Sequence, residues 1–562
     1  SGRAQEKRTL VARFRLEKKN PAAAVSDPVK PITYHLGRGI PARWKPYVSA
    51  GILQWLPAFE AAGFSNAIRV VDAPTPEQDP DWSDEDVTVN VVRWLPQDRI
   101  NAQGPHVSDP RSGETLSAHI QVWPQVIDGF GQYYFALFGG GVDPRATRLP
   151  LSTETSGALL SYIVAHEVGH TLGLMHNQIA STAHTVAQMR RPDFANRYGP
   201  NTSIMAYGRF NQAAQPGDGV TQLWSVIGPY DVAAIRYGYG VFGTDAASEA
   251  RELAAFADGF SRERGLYWGS EESPELVTRF GRDPRVLTEN TGAERVEATR
   301  LGVANLLRSL SRLDAATAGD AELFASTHDM IRGRHLGMLM SVTRLVGGVM
   351  PPMGAAEGPA ARTVPAAEQR EAVRYLLGEG AASLEPYAAP AVADRVAAYG
   401  GERGVASLQS ALVGSLMTGA NVAMLETQSR RDPTAYSPQE FGRDVFAAVW
   451  GDLSRATPTR RALQRGYLAA ASRMLDSWAR GGAGEDALVQ KEQAATGVGP
   501  VAARLRAETG DDTVFVSWLR GNLPELRNRL DDAALRAADD ADRLHFADMA
   551  AQVARMQKVG TP

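Results

Sequence analysis

No cysteine occurs anywhere in the chain. Disulfides, thiolate catalysis and cysteine-held metals are therefore excluded, and any metal must rest on histidine, carboxylate or backbone oxygen. Histidine is itself scarce, with ten in 562 residues. No excess of either charge is present: the net charge is −4 and the pI about 6.2. That balance gives no electrostatic case for a nucleic-acid partner and no polybasic membrane anchor. Nor is there an apolar run of the roughly 18 residues that a membrane-spanning helix needs. The nearest, HLGMLMSVTRLVGGVM, carries Arg344 and reads as a buried helix. The opening residues, SGRAQEKRTLVARF, lack the apolar segment of a signal peptide. What is left is ordinary globular composition, 44% hydrophobic and 22% charged, in a chain too long for one core.

Composition changes near residue 245. Before it lie proline, tryptophan and short β-type runs: RTLVARFRLE alternates like a strand, and AIRVVDA, VTVNVVRWL and LSAHIQVW follow. Between the first two, Trp44, Val48, Ile52, Trp55 and Phe59 recur at helical spacing, with Pro57 placed to break that helix. This order predicts a mixed α/β domain. From Asp245 onward the text is Ala, Leu, Arg and Glu at 3.6-type spacing, which predicts a helical domain, and MPPMGAAEGPAARTVP reads as a long loop inside it. The expected division is residues 1–30 as an N-terminal strand or extension, 31–243 as the mixed α/β domain and 244–562 as mainly helical.

Three of the ten histidines fall within AHEVGHTLGLMHN, residues 165–177. On a helix, residues four apart share a face, so His166 and His170 reach one metal ion together. Glu167 lies one step round, where a general base for a metal-activated water belongs. Gly173 permits the left-handed turn that ends a helix, and the returning chain brings in His176. Three histidines with a fourth position open suit a catalytic zinc. Ser152, Thr153 and Thr155 are candidate helix caps, with Glu154 a first-turn acid. Most sides of this helix are apolar, so it is expected to be buried. A single histidine on such a helix is usually a packed core residue, but five fixed residues over eleven positions arise by chance on the order of 10⁻⁸ per position.

The pattern His-Glu-x-x-His-x-x-Gly-x-x-His resembles the signature of the metzincin zinc peptidases. These enzymes carry a methionine turn downstream, and this chain has Ser203-Ile204-Met205-Ala206-Tyr207, with Met205 29 residues beyond His176. Its wording looks like the serralysin and astacin branches. The resemblance implies an α+β fold, with a twisted mixed sheet and long helices ahead of a helical C-terminal extension, as in large bacterial zinc-dependent metalloproteases. It implies one catalytic zinc on His166, His170 and His176, Glu167 as base, Met205 packed beneath the metal, and Tyr207 on the metal or at the oxyanion. GPYDVAAIRYGYG looks like the helix that closes such domains. An edge strand at Ser117, Ala118, His119 and Ile120 is expected to take an extended substrate by strand addition.

The implied activity is a zinc endopeptidase acting on protein or peptide, exported from the cell. The competing reading is a zinc-containing scaffold whose helical half grips a partner, against which Glu167 weighs, since a structural zinc needs no base. Asn177 matches none of the better-known branches. A cysteine activation switch is impossible, and the Gly/Asp nonapeptide repeats of serralysins are absent. Structural calcium is not indicated, and the sequence is silent on oligomeric state. His35, His106, His119 and His184 are expected to be surface or packing residues. His328 and His335, seven apart on one predicted helix, have no carboxylate set beside them and do not predict a second metal site.

Overall fold

The computed structural model describes residues 9–260, 262–353, 360–397, 404–479 and 514–558. The first half is built on one sheet, β1 (Ile32–Leu36), β2 (Ile68–Asp72), β3 (Asn90–Trp94), β4 (Ala102–Gln103), β5 (His106–Ser108) and β6 (Thr115–Val122), with α1 (Lys45–Leu53) and α2 (Leu56–Ala61) between the first two strands. The break between these helices falls where Pro57 enters the first turn of α2, where its missing N–H costs nothing. The strand order is β2-β1-β3-β6-β4, with β5 also on β6. The first three pairings are parallel, and β4 and β5 run antiparallel to β6. The fold is therefore α+β with a mixed sheet, as expected.

Two long helices follow, α3 (Gln125–Phe138) and α4 (Thr153–Thr171), of which α4 lies against the sheet at β4 and β6. Ser152 caps α4 by accepting from the Thr155 N–H at 3.2 Å. The helix is buried on nearly every side, because α1 crosses it on one face and the sheet covers another. Three hydrogen bonds tie it to its neighbours: Ser161 donates to Tyr47 O (2.6 Å), Tyr34 and Thr171 share a hydrogen bond (2.6 Å), and the Trp55 indole donates to Ala165 O (2.8 Å). Short helices α5 (Val186–Met189) and α6 (Pro192–Tyr198) follow, then α7 (Pro229–Tyr239).

The second half is helical: α8 (Ala246–Phe260), α9 (Pro274–Phe280), α10 (Arg295–Leu310), α11 (Leu313–Thr317), α12 (Ala321–Thr343), a hairpin of β7 (Val349–Met350) and β8 (Arg362–Thr363), then α13 (Ala366–Tyr375), α14 (Pro390–Val396), α15 (Val405–Leu416), α16 (Gly419–Arg431), α17 (Pro438–Trp450), α18 (Pro458–Ala479), α19 (Val514–Arg536) and α20 (Asp540–Met556). The hairpin occupies the predicted long loop, of which residues 354–359 lie outside the described residues. Among the described residues one stretch, Val405–Arg431, is long and apolar enough to cross a membrane. It comprises α15 and α16, whose Leu412, Leu416, Val422 and Leu425 are buried in the helical core.

Packing does not follow composition. One core holds the sheet, α1, α2 and α4. The other runs from α3 and Phe210 through the helical half to Met556, so α3 joins the two halves across residue 243. Two sequence expectations are corrected. The described residues of RTLVARFRLE, 9–17, form no sheet strand: Arg13 makes a single bridge to Glu114, and among these residues only Phe14 is buried. Ser117–Ile120 are not an edge, because β6 is paired with β3 on one side and with β4 and β5 on the other.

Candidate active site

The last turns of α4 carry His166, Glu167 and His170. The helix stops at Gly173, whose φ of +97° places it in the left-handed region. Leu174 N–H returns to Gly169 O and Gly173 N–H to His170 O, both at 3.0 Å, the paired bonds of a glycine-terminated helix. A side chain at Gly173 is doubly excluded, since a Cβ there would lie 1.9 Å from Ala12 O. The chain then brings His176 back over the helix.

The three imidazoles converge through their Nε2 atoms. His176 Nε2 lies 3.1 Å from His166 Nε2 and 3.1 Å from His170 Nε2, and all three fall within 4.8 Å of one another. Tetrahedral ligands about 2.1 Å from a zinc ion stand about 3.4 Å apart, so the spacing fits a single ion. Each opposite nitrogen has an acceptor: His166 Nδ1 meets Ile204 O (2.8 Å), His170 Nδ1 meets Leu174 O (2.9 Å), and His176 Nδ1 meets the Glu272 carboxylate. With the ring proton held at Nδ1, every Nε2 lone pair faces the common centre. Burial keeps the rings neutral, driving His166 well below its ordinary range and His176 down to about 3. A donor set of three neutral, oriented imidazoles holds a metal ion.

Met205 lies beneath the triad, fully buried. Its sulfur occupies the space left by Gly169, where a Cβ would come within 2.4 Å. The turn is closed by Ala206 N–H to Ser203 O (3.2 Å) and clamped by Asp231 in the first turn of α7. That carboxylate accepts from Ser203 Oγ (2.6 Å), Ile204 N–H (2.7 Å) and Gly228 N–H (2.8 Å). The same Ile204 holds His166 through its carbonyl, so the turn orients a ligand as well as packing under it.

A cavity of about 540 Å³ opens in front of the triad. Residues 100–105, Val126, Phe130, Ile163, Glu167, Tyr207 and Arg209 line it with the histidines. Burial pushes the Glu167 carboxyl up to about 8, against the pull of the Arg209 charge and a hydrogen bond from the Gly104 backbone. The Tyr207 ring stacks obliquely on His176, 4.0 Å between centroids. Its phenol is raised by burial and so remains a donor. Arg209 lies between the rings of Phe130 (5.1 Å) and Tyr207 (4.7 Å) and pairs with Glu289 at 2.8 Å.

The structure thus brings together His166, Glu167, His170, His176, Met205 and Tyr207. It separates Ser117, Ala118, His119 and Ile120 from the cleft: the rim facing the triad is the β4–β5 segment, and His119 turns away to Asp86 O (3.1 Å). His328 and His335 do share a face of α12, where His335 is satisfied by Tyr387 and Ser383. Arg209, Asp231 and Glu272 escaped sequence reasoning. A signal existed for Asp231, because Gly-Pro-Tyr-Asp is a helix start with an acid at the third helical position. Arg209 and Glu272 meet partners 80 and 96 residues away, and no local pattern marks them.

Comparison with curated proteins and with solved structures gives no match. A family model of the Met-zincins matches residues 148–457, more than half of the chain. The match takes in α4, the third histidine, the methionine turn and the helical half as far as α17. With the triad, its oriented nitrogens and Met205 beneath them, the chain belongs to the Met-zincin family and is a zinc metallopeptidase of that kind.

Proposed function

We propose that the protein is a zinc endopeptidase in which Glu167 is the general base. The observation that carries this reading is the buried Glu167 carboxyl lining the same cavity as three converging Nε2 atoms. A zinc ion held by these nitrogens supplies Lewis acidity, making water more acidic and a carbonyl more electrophilic. Glu167 takes the proton of the attacking water and delivers it to the leaving amide nitrogen. Its burial raises its proton affinity, which suits the second of these tasks. Tyr207, kept protonated, donates to the oxyanion that develops on the scissile carbonyl.

An extended substrate adds to the β4–β5 edge, which carries exposed His106 and Val107 and is paired with β6 on its other side. Adding a strand along an edge needs no chain terminus, hence cleavage within a chain. The side chain following the scissile bond enters the recess of Val126, Phe130 and Ile163, with Arg209 at its wall.

The test compares wild type with Glu167→Gln for bound zinc and for cleavage of an unfolded protein such as casein. Gln keeps the shape and loses the base, so zinc is retained and kcat falls by about 10²–10⁴. A zinc-loaded wild type that cleaves nothing in a broad peptide library would falsify the peptidase. Undiminished cleavage by Glu167→Gln removes the assigned base.

A further inference from the structure

We propose that Glu272 is the positioning residue of the third metal ligand, held there by a strap, residues 267–272, that the helical half of the chain lays across the His176 loop. The inference rests on the reading that the three histidines bind the metal.

The three ligands are not held alike. His166 is oriented by the methionine turn, and His170 by a carbonyl four residues along its own chain. His176 stands on a segment, residues 174–177, with no regular structure of its own. Its Nδ1 has a carboxylate acceptor 96 residues downstream, Glu272 Oε1. Because Glu272 meets Nδ1, on the far side of the ring from Nε2, it is not a fourth ligand. It fixes which nitrogen carries the proton and where the ring points, and its charge strengthens the ring as a donor.

The contact is one of a row. Asn177 donates through Nδ2 to Tyr267 O (2.9 Å) and accepts through Oδ1 from Gly269 N–H (3.2 Å). Ile179 N–H reaches Gly269 O at 3.1 Å, and Gln178 Oε1 accepts from Glu271 N–H at 2.7 Å. Asn177 also ties its own N–H to Met205 O (3.0 Å). This fully buried amide thus stitches the loop to the strap on one side and to the methionine turn on the other. Aspartate lacks the donor, and glutamine is a methylene too long. The strap is anchored in turn by Arg344 at the end of α12, which pairs with Glu271 (3.0 Å from Nη1) and donates to Gly281 O (3.1 Å). The helical half is therefore part of the metal site.

The test measures zinc affinity of the full chain by chelator competition, for wild type, Glu272→Gln, Glu272→Ala and Asn177→Ala. Absorption of the cobalt-substituted site reports ligand geometry, and urea unfolding of the metal-free proteins reports the fold. Glu272→Ala is expected to bind zinc about 10–100-fold more weakly, with an altered cobalt spectrum. Its metal-free unfolding midpoint is expected to be unchanged, since the Glu272 side chain is 31% exposed. Glu272→Gln, which keeps an acceptor without the charge, is expected to fall between. Asn177→Ala is expected to weaken zinc as well, and not additively with Glu272→Ala. Zinc affinities within twofold of wild type in both Glu272 variants overturn the proposal. So does a loss that only tracks a lower metal-free stability. A wild type that binds zinc but cleaves no peptide overturns the proposed function and leaves this inference standing, because no arm of the test reads cleavage.

Discussion

Replacing Asp231 tests how the methionine turn is held. The carboxylate is wholly buried, and three donors point at it: Ser203 Oγ on one oxygen, and the N–H groups of Ile204 and Gly228 on the other. In Asp231→Ala the serine hydroxyl can rotate, but the two backbone N–H groups stay dry and unpaired. At about 1–3 kcal/mol for each, with a small cavity added, the cost is about 3–5 kcal/mol, a large part of a usual domain stability of about 5–15 kcal/mol. Asp231→Asn behaves differently. Its carbonyl oxygen serves both N–H groups, and its NH₂ donates to Ser203 Oγ, so the cost is about 1 kcal/mol. Burial pushes the Asp231 carboxyl up to about 7 in spite of its donors, so the neutral amide copies a state the acid reaches near neutral pH. The folded state keeps a proton that the unfolded state loses above about 4, so wild type loses stability from this site as pH rises from about 4 to 7, and Asp231→Asn lacks that slope. Urea unfolding of the metal-free proteins measures both. An alanine variant within about 1 kcal/mol of wild type, or an asparagine variant as damaged as the alanine, refutes the clamp. Zinc affinity should drop with alanine, because Ile204 is also the acceptor for His166.

Tyr207→Phe is expected to lower kcat by about 10²-fold with KM little changed, as loss of one oxyanion donor does; steady-state kinetics on a fluorogenic peptide decide it, and an unchanged kcat removes the tyrosine from the transition state. Gly169→Ala gains about 1 kcal/mol of helix propensity, but its Cβ meets Met205 Sδ at 2.4 Å and Trp55 Cζ2 at 2.9 Å. Overpacking at about 1–3 kcal/mol prevails, so thermal unfolding should begin lower and zinc bind more weakly; a more stable variant contradicts this. His335, driven down to about 3 by burial, stays neutral when folded while the unfolded chain protonates it below about 6.5, so its contribution is lost as pH falls. Between pH 7 and 5 wild type is expected to lose about 2 kcal/mol more than His335→Gln, measured as the difference of their urea midpoints; equal losses refute it.

What was legible in the sequence was local. The spacing of His166 and His170, the glycine that ends α4 and the serine that caps it each act within a turn or two, and each stands where its chemistry requires. Strand pairing is not local. β6 is eight residues long and alternates, so it reads as a strand. The strands that cover it have two and three residues, with Pro105 between them, too short to register. These two short strands cover the side of β6 that its own sequence presents as an edge. RTLVARFRLE shows the converse, since alternation reports one face against protein and says nothing of a partner strand. The change of composition at residue 245 is real, but α3 lies before it and packs with α10 and α12, so the larger core crosses it.

The zinc site draws its precision from three separate parts of the chain. His166 reports the position of the methionine turn, and through Asp231 that of α7. His170 reports only the end of its own helix. His176 reports the strap, and through Arg344 the end of α12. Convergence of the three Nε2 atoms requires all three parts to be in register, so a displacement of the helical half reaches the metal through a single ring. Asn177 is the residue where this coupling is tightest, because its backbone belongs to the methionine turn's hydrogen bonding and its side chain to the strap's. Its identity is a requirement of the junction between the halves, which is why no rule drawn from the catalytic helix alone accounts for it.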